Sequence, residues 1–102
     1  MAQETSITFD KTEIVILLAK PSAQVINLTA NKIVNIQFDR TEVKKLLSSK
    51  PTERITLTVS GREKPIELLE LDLKEHFASY KESLIKFAKD NRISLRNKLT
   101  EA

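Results

Sequence analysis

His76 is the one histidine in the chain, set between Glu75 and Phe77 with Asp72 four residues upstream. An imidazole beside carboxylates is what a general base held by an orienting acid looks like. Asp72 and Glu75, however, have the three-residue spacing of a helix N-cap and its capping-box partner. His76 therefore reads as a surface or boundary histidine and not as a catalyst. The acidic residues Glu63, Glu67, Glu70, Asp72 and Glu75 invite comparison with a cation site. Calcium loops need closely spaced oxygen ligands and a glycine-permitted turn, which this stretch lacks. The many serines and threonines sit in no glycine-flanked nucleophile elbow.

The absence of cysteine removes thiolate ligands, disulfides and cysteine nucleophiles, and a single histidine excludes sites that need two imidazoles. Gly61 is the one glycine, which excludes the glycine-rich loops that cradle phosphates. No catalytic residue, metal site, cofactor or small-molecule substrate is inferred, and the chain reads as a non-enzyme.

Two surfaces remain. Around a helix axis, Lys74, Lys81, Lys89 and, where the helix continues past about residue 90, Arg92 and Arg96 fall within about 80° of one another, and such a stripe can meet lipid or nucleic-acid phosphates. It borders Glu75 and Glu82 and has no interleaved aromatics to stack on bases, so an ordinary solvated face is the competing reading. The second surface is apolar. Val15 and Leu17 alternate with the inward residues of their strand, and Ile85 falls among the lysines of the helix. Apolar side chains outside a core mark self-association or partner surfaces. Burial of Val15 and Leu17 beneath Thr41 to Lys50 would account for them equally well.

The elements that carry these residues follow from patterning. The chain has 102 residues, 40% hydrophobic and 30% charged, enough for one domain, 1–102, with a real core. Met1 to Asp72 holds ten basic and ten acidic residues, so the formal +3 lies in the last thirty positions, with seven basic and four acidic. The first residues lack the basic start and apolar run of a signal peptide, and a cytoplasmic, unprocessed protein is expected. The apolar run Ile14 to Ala19 is far short of a membrane helix.

Up to Asp72 the period is two. Ser6 to Phe9 alternates and turns at Asp10-Lys11. Glu13 to Ala19 is a strand with apolar residues on both faces, ended by Lys20-Pro21-Ser22. Gln24 to Leu28 faces inward through Ile26 and Leu28 and turns at Asn31-Lys32. Val34, Ile36 and Phe38 share one face of a strand, as do Ile55, Leu57 and Val59. Ser60-Gly61-Arg62 turns the chain toward Ile66, Leu68 and Leu71, with Pro65 pointing either to an edge start for that strand or to an unpaired first residue. Thr41 to Lys50 fits either a helix or a short strand.

After Asp72 the period becomes helical. Leu73, Phe77, Tyr80, Leu84, Phe87 and Ala88 form a stripe roughly 100° wide over about 73–90, leaving a tail at 91–102 with Ile93, Leu95 and Leu99. The expected class is α+β, with six to seven short, mostly antiparallel strands within 5–71. These make a small barrel or two-sheet fold covered by one C-terminal amphipathic helix.

The hairpin of Ile55 to Gly61 and Ile66 to Leu71, followed by a helix carrying Phe77, Tyr80, Leu84 and Phe87, resembles a bacterial pleckstrin-homology-like domain. The resemblance spans about Thr5 to Ile93. It implies a seven-stranded, two-sheet barrel with the helix plugging one end. Phosphoinositide-binding members carry a basic cluster in the first loop, where this chain has Asp10-Lys11-Thr12, and the tryptophan often found in the eukaryotic helix is absent.

The function expected is a binding or scaffolding module that engages a protein partner or itself through an apolar or edge-strand surface including Val15, Leu17 or Ile85. The alternative is weak, salt-sensitive binding to an anionic membrane through Lys81, Lys89 and Arg92. Nucleic acid is the weaker third partner.

Overall fold

A computed structural model describes residues 5–19 and 23–99. The expected stop at Lys20-Pro21-Ser22 lies outside them. Three strands, β1 (Ser6–Phe9), β2 (Glu13–Leu18) and β3 (Gln24–Thr29), form an antiparallel sheet in chain order. Ile7 pairs with Ile16, and Ile14 and Ile16 pair with Leu28 and Ile26, so alternation places all five on one buried face. Asp10 closes the first turn, its N–H donating to the Glu13 carbonyl at 2.8 Å.

The second sheet has the order β6-β5-β4-β7, from β4 (Ile33–Lys45), β5 (Ser48–Val59), β6 (Ile66–Leu69) and β7 (Ser94–Asn97). Phe38, Ile55 and Leu68 lie side by side across three strands, as do Ile36, Leu57 and Ile66. All six are buried. Truncating a fully buried ring such as Phe38 to alanine costs about 3–5 kcal/mol. Gly61, with φ +84°, makes the turn from β5, and β6 begins just after Pro65 as an edge strand.

Between β6 and β7 come a short helix, α1 (Glu70–Leu73), a 3₁₀ turn over Lys74–His76, and the main helix, α2 (Phe77–Asn91). Phe77, Leu84, Phe87 and Ala88 of α2 join the residues of both sheets in one core. Phe9 of β1 meets Tyr80 and Phe87 at ring-centroid distances of 6.4 Å each. The fold is thus α+β, with seven strands in two sheets and a C-terminal helix.

Several expectations are corrected. No barrel closes: among the described residues no ladder joins the two sheets, so β1, β3, β6 and β7 are all edges. Val34 is 53% exposed because the β4–β5 register slips between Ile33 and Asn35, and this bulge puts Ile33 in the core instead. Leu71 belongs to α1, not to a strand. The main helix starts at Phe77 and not Leu73, since Lys74 (φ 53°) interrupts the helix while Leu73 and Phe77 on either side stay buried. Asp72 accordingly lies inside α1, and His76 precedes α2 without a side-chain cap. The expected tail contains β7, which pairs parallel to β4 from Asn35–Ser94 to Phe38–Asn97. Thr41 to Lys50 is strand and turn.

Candidate binding surface

β4 and β5 continue beyond the sheet that holds them. β7 pairs with β4 as far as Phe38, and β6 pairs with β5 as far as Arg54. From Arg40–Glu53 outward the two strands pair only with each other, down to Lys45–Ser48. This two-stranded ribbon reaches about 20 Å from its base, at 3.3 Å per residue. Its outer edges carry backbone groups unclaimed by any described strand.

The base is clamped. Arg54 donates from Nε to Asp39 Oδ1 at 2.9 Å and from Nη2 to Oδ2 at 2.8 Å, and Gln37 adds a donor to Oδ2 at 3.0 Å. Such two-pronged guanidinium–carboxylate pairs fix geometry as well as charge. The Arg54 guanidinium holds the Asp39 carboxyl below its ordinary range, against a smaller opposing effect of burial. One register step outward, Glu53 accepts from Lys81 Nζ of α2 at 2.8 Å, and that ammonium also lies 5.1 Å from the centre of the Phe77 ring.

The apex is Leu46-Leu47, and these side chains are 98% and 96% exposed. Packing does not account for them. Turn chemistry does not either: two-residue hairpin turns favour positive φ and hence asparagine or glycine. Among the described non-glycine residues only Lys74 and Arg92 have positive φ. Arg40 to Lys50 contains four basic residues and one acidic, a net +3, with no acidic residue from Val43 to Thr52. Lys44 pairs with Ser49 and Lys50 with Val43, consecutive positions whose side chains take opposite faces of the ribbon. Both lysines are exposed.

The residues singled out in the sequence are divided by the fold. Val15 is half-buried and Leu17 43% exposed on the outer face of the first sheet. Val25, the register partner of Leu17, adds a 63% exposed neighbour that the strand pattern alone did not flag. Thr41 to Lys50 leaves Leu17 uncovered, so burial beneath that segment is not its explanation. Ile85, also 43% exposed, stands on α2 and faces away from the core on a different element.

The cationic helix stripe is likewise broken up. Lys74 sits in the 3₁₀ turn, Lys81 is engaged by Glu53 and Arg92 caps α2 in a left-handed conformation. Arg96 belongs to β7, and Lys89 is exposed. His76 lies 3.8 Å from Glu75 with more than half its side chain exposed. Glu67 extends toward Arg54 at 3.7 Å. Among the described residues no three His, Asp or Glu side chains gather as metal ligands. No described helix is long and apolar enough to cross a membrane.

Sequence reasoning missed Leu46, Leu47, Lys44 and Lys50. The available signal was an apolar pair between lysines and serines where a turn needed small or polar residues. Comparison with known proteins finds no matching family model, no matching curated protein and no matching solved structure.

Proposed function

We propose that this chain is a non-enzymatic binding module whose engaging element is the β4–β5 ribbon. The observation that carries the reading is the Leu46-Leu47 apex, exposed beyond any need of packing or turn geometry. Each leucine side chain gains about 2 kcal/mol on full transfer from water to an apolar setting, so an apex of two favours engagement strongly. An isolated two-stranded ribbon is marginal in water, and a bound surface supplies what it lacks. The pleckstrin-homology-like relationship remains a proposal of architecture. Two sheets of seven strands and a helix over one core support it, while β7 following the helix departs from it.

Photo-crosslinking in cells tests the reading without presuming the partner's class. A photoreactive residue replacing Leu46 is expected to give discrete adducts, protein or lipid, where one replacing the exposed Lys64 gives none. Equal background at both positions would sink the proposal.

A second reading is supported by register. Leu17 and Val25 are direct partners with Val15 beside them, an apolar patch on the outer face of the first sheet suited to self-association. Sedimentation velocity over a concentration series is expected to show a dimer lost in Leu17→Glu/Val25→Glu. A monomer at every concentration removes this reading.

A further inference from the structure

We infer that the partner of the ribbon is an anionic lipid bilayer, entered by Leu46 and Leu47 to the level of the headgroup–acyl boundary while Lys44 and Lys50 hold lipid phosphates. This rests on the ribbon being the engaging element and names what it engages. Three features of the ribbon converge on a bilayer.

The first is depth. Lys44 lies two residues before Leu46, and Lys50 three after Leu47. At strand rise this sets the ammonium-bearing positions about 7–10 Å behind the apex. Interfacial elements bury their apolar parts about 5–10 Å deep, so the lysines meet the headgroups as the leucines meet the acyl chains. Their flexible stems adjust the remaining distance.

The second is the collar. Lys44 and Lys50 project from opposite faces, so phosphates are met on both sides of the ribbon whatever its rotation about its own axis. Ser48 and Ser49 stand beside them at the same level, where hydroxyls find water and headgroup oxygens. Shallow entry also leaves the ribbon's free edges in hydrated surroundings, whereas hydrocarbon would strand them.

The third is charge and composition. A bilayer rich in anionic lipid attracts a ribbon whose Asp39 to Arg54 carry net +2, with the positive excess toward the apex, whereas a second such ribbon repels it. Nucleic acid attracts the lysines but gives two leucines no apolar surface, and 39–53 contains no aromatic residue to stack on bases. The ribbon's reach of about 20 Å lets the apex enter without bringing the clamped base into the headgroups.

The test is co-sedimentation of the full chain with phosphatidylcholine vesicles, with and without phosphatidylserine, at low and near-physiological salt. Partition onto the anionic vesicles alone, weakened by salt, is expected. Leu46→Ser/Leu47→Ser is expected to reduce partition at least about tenfold, because it removes the inserted apolar surface. Lys44→Gln/Lys50→Gln is expected to reduce it about 25-fold, at roughly fivefold per lysine. Lys89→Gln/Arg92→Gln is expected to change it less than about threefold, since these cations lie off the ribbon. Circular dichroism establishes that each variant is folded.

Depth is read separately. The chain contains no tryptophan, so Leu47→Trp creates a single reporter at the apex. A blue shift on anionic vesicles, with quenching by brominated acyl chains, is the expected result. Vesicle binding without a blue shift, or a larger loss in the helix variant than in the lysine-pair variant, overturns the inference. So does failure to bind vesicles when position 46 crosslinks a protein in cells, an outcome that leaves the ribbon as engaging element and changes its partner. Failure in both assays sinks the ribbon reading itself.

Discussion

Asp39 and Arg54 face each other across β4 and β5 at the point where the two outer strands end, joined by two parallel hydrogen bonds of 2.9 and 2.8 Å. Outward of this pair the ribbon has no flanking strand among the described residues. Inward, Phe38 and Ile55 are fully buried. The clamp thus marks the step from four-stranded sheet to two-stranded ribbon, and its geometry sets the direction in which the apex points.

Breaking the clamp is therefore expected to loosen the ribbon more than the body. Asp39→Asn keeps the shape but removes the charge, and a cost of about 1–2 kcal/mol is expected in urea unfolding. Hydrogen exchange is expected to accelerate chiefly in 40–52, while amides of the first sheet slow down or speed up only with global stability. Uniform acceleration throughout the chain would mean that the clamp supports the body and not the ribbon.

The same pair sets an acid dependence. Arg54 lowers the Asp39 pKa in the folded protein below its ordinary value of 3.8. A depressed carboxyl stabilises the fold above its unfolded pKa, and that contribution is lost as pH falls toward and through the folded value. Stability measured from pH 6 to about 2 is expected to fall less steeply below pH 4 in Asp39→Asn than in the parent. Equal slopes would show that the carboxyl does not act through this linkage.

Lys81 is expected to contribute to stability and not to surface binding, since Glu53 holds its ammonium at 2.8 Å and the Phe77 ring lies beneath it. In a cycle of Lys81→Met and Glu53→Gln, a coupling of about 0.5–1 kcal/mol is expected. Lys81→Met is expected to leave vesicle partition within about threefold, because the charge removed is already paired. A larger loss of binding would return α2 to the binding face.

Arg92 sits at φ 57° and ψ 42° just past α2, where the Ile93 N–H bonds back to the Ala88 carbonyl at 2.8 Å. That left-handed cap is the position where glycine avoids the strain of a Cβ. Arg92→Gly is expected to raise stability by about 0.5–1 kcal/mol in urea unfolding. A lower stability would mean that the arginine side chain contributes more than its backbone strain costs.

Local periodicity made much of this fold legible. Alternation at Ile14, Ile16, Ile26, Leu28, Ile55 and Leu57 named strand faces correctly, because each residue's side follows from its own strand. The stripe Phe77, Tyr80, Leu84, Phe87 and Ala88 named the buried side of α2 for the same reason. Features set by distant partners were not legible. The bulge at Val34 depends on register with β5, and β7 depends on a parallel neighbour some sixty residues earlier, from Asn35–Ser94. Val43, Leu46 and Leu47 have helical spacing behind Thr41 and the stretch holds no hairpin residue, so the apex of the candidate surface was hidden by the very leucines that make it one.

Those leucines allow folding and binding to be separated by one exchange. Leu46 and Leu47 occupy the two loop positions between the paired residues Lys45 and Ser48, the length that suits a type I′ turn. Neither leucine has positive φ, so Leu46→Asn/Leu47→Gly lets the turn change to the type I′ conformation, whose twist matches the flanking strands. Because the leucine side chains are almost wholly exposed, their removal empties no core. The better-matched turn is expected to outweigh the chain entropy that the new glycine adds to the unfolded state, making the double variant more stable by about 0.5–1 kcal/mol, with slower hydrogen exchange in 40–52. It is also expected to lose vesicle partition at least about tenfold, as the serine pair does, since both remove the inserted apolar surface. Opposite movement of stability and binding would identify the apex as kept for what it contacts at the expense of the turn that holds it. If stability falls with binding, the leucines hold the hairpin together; if binding persists, the contact surface lies elsewhere on the chain.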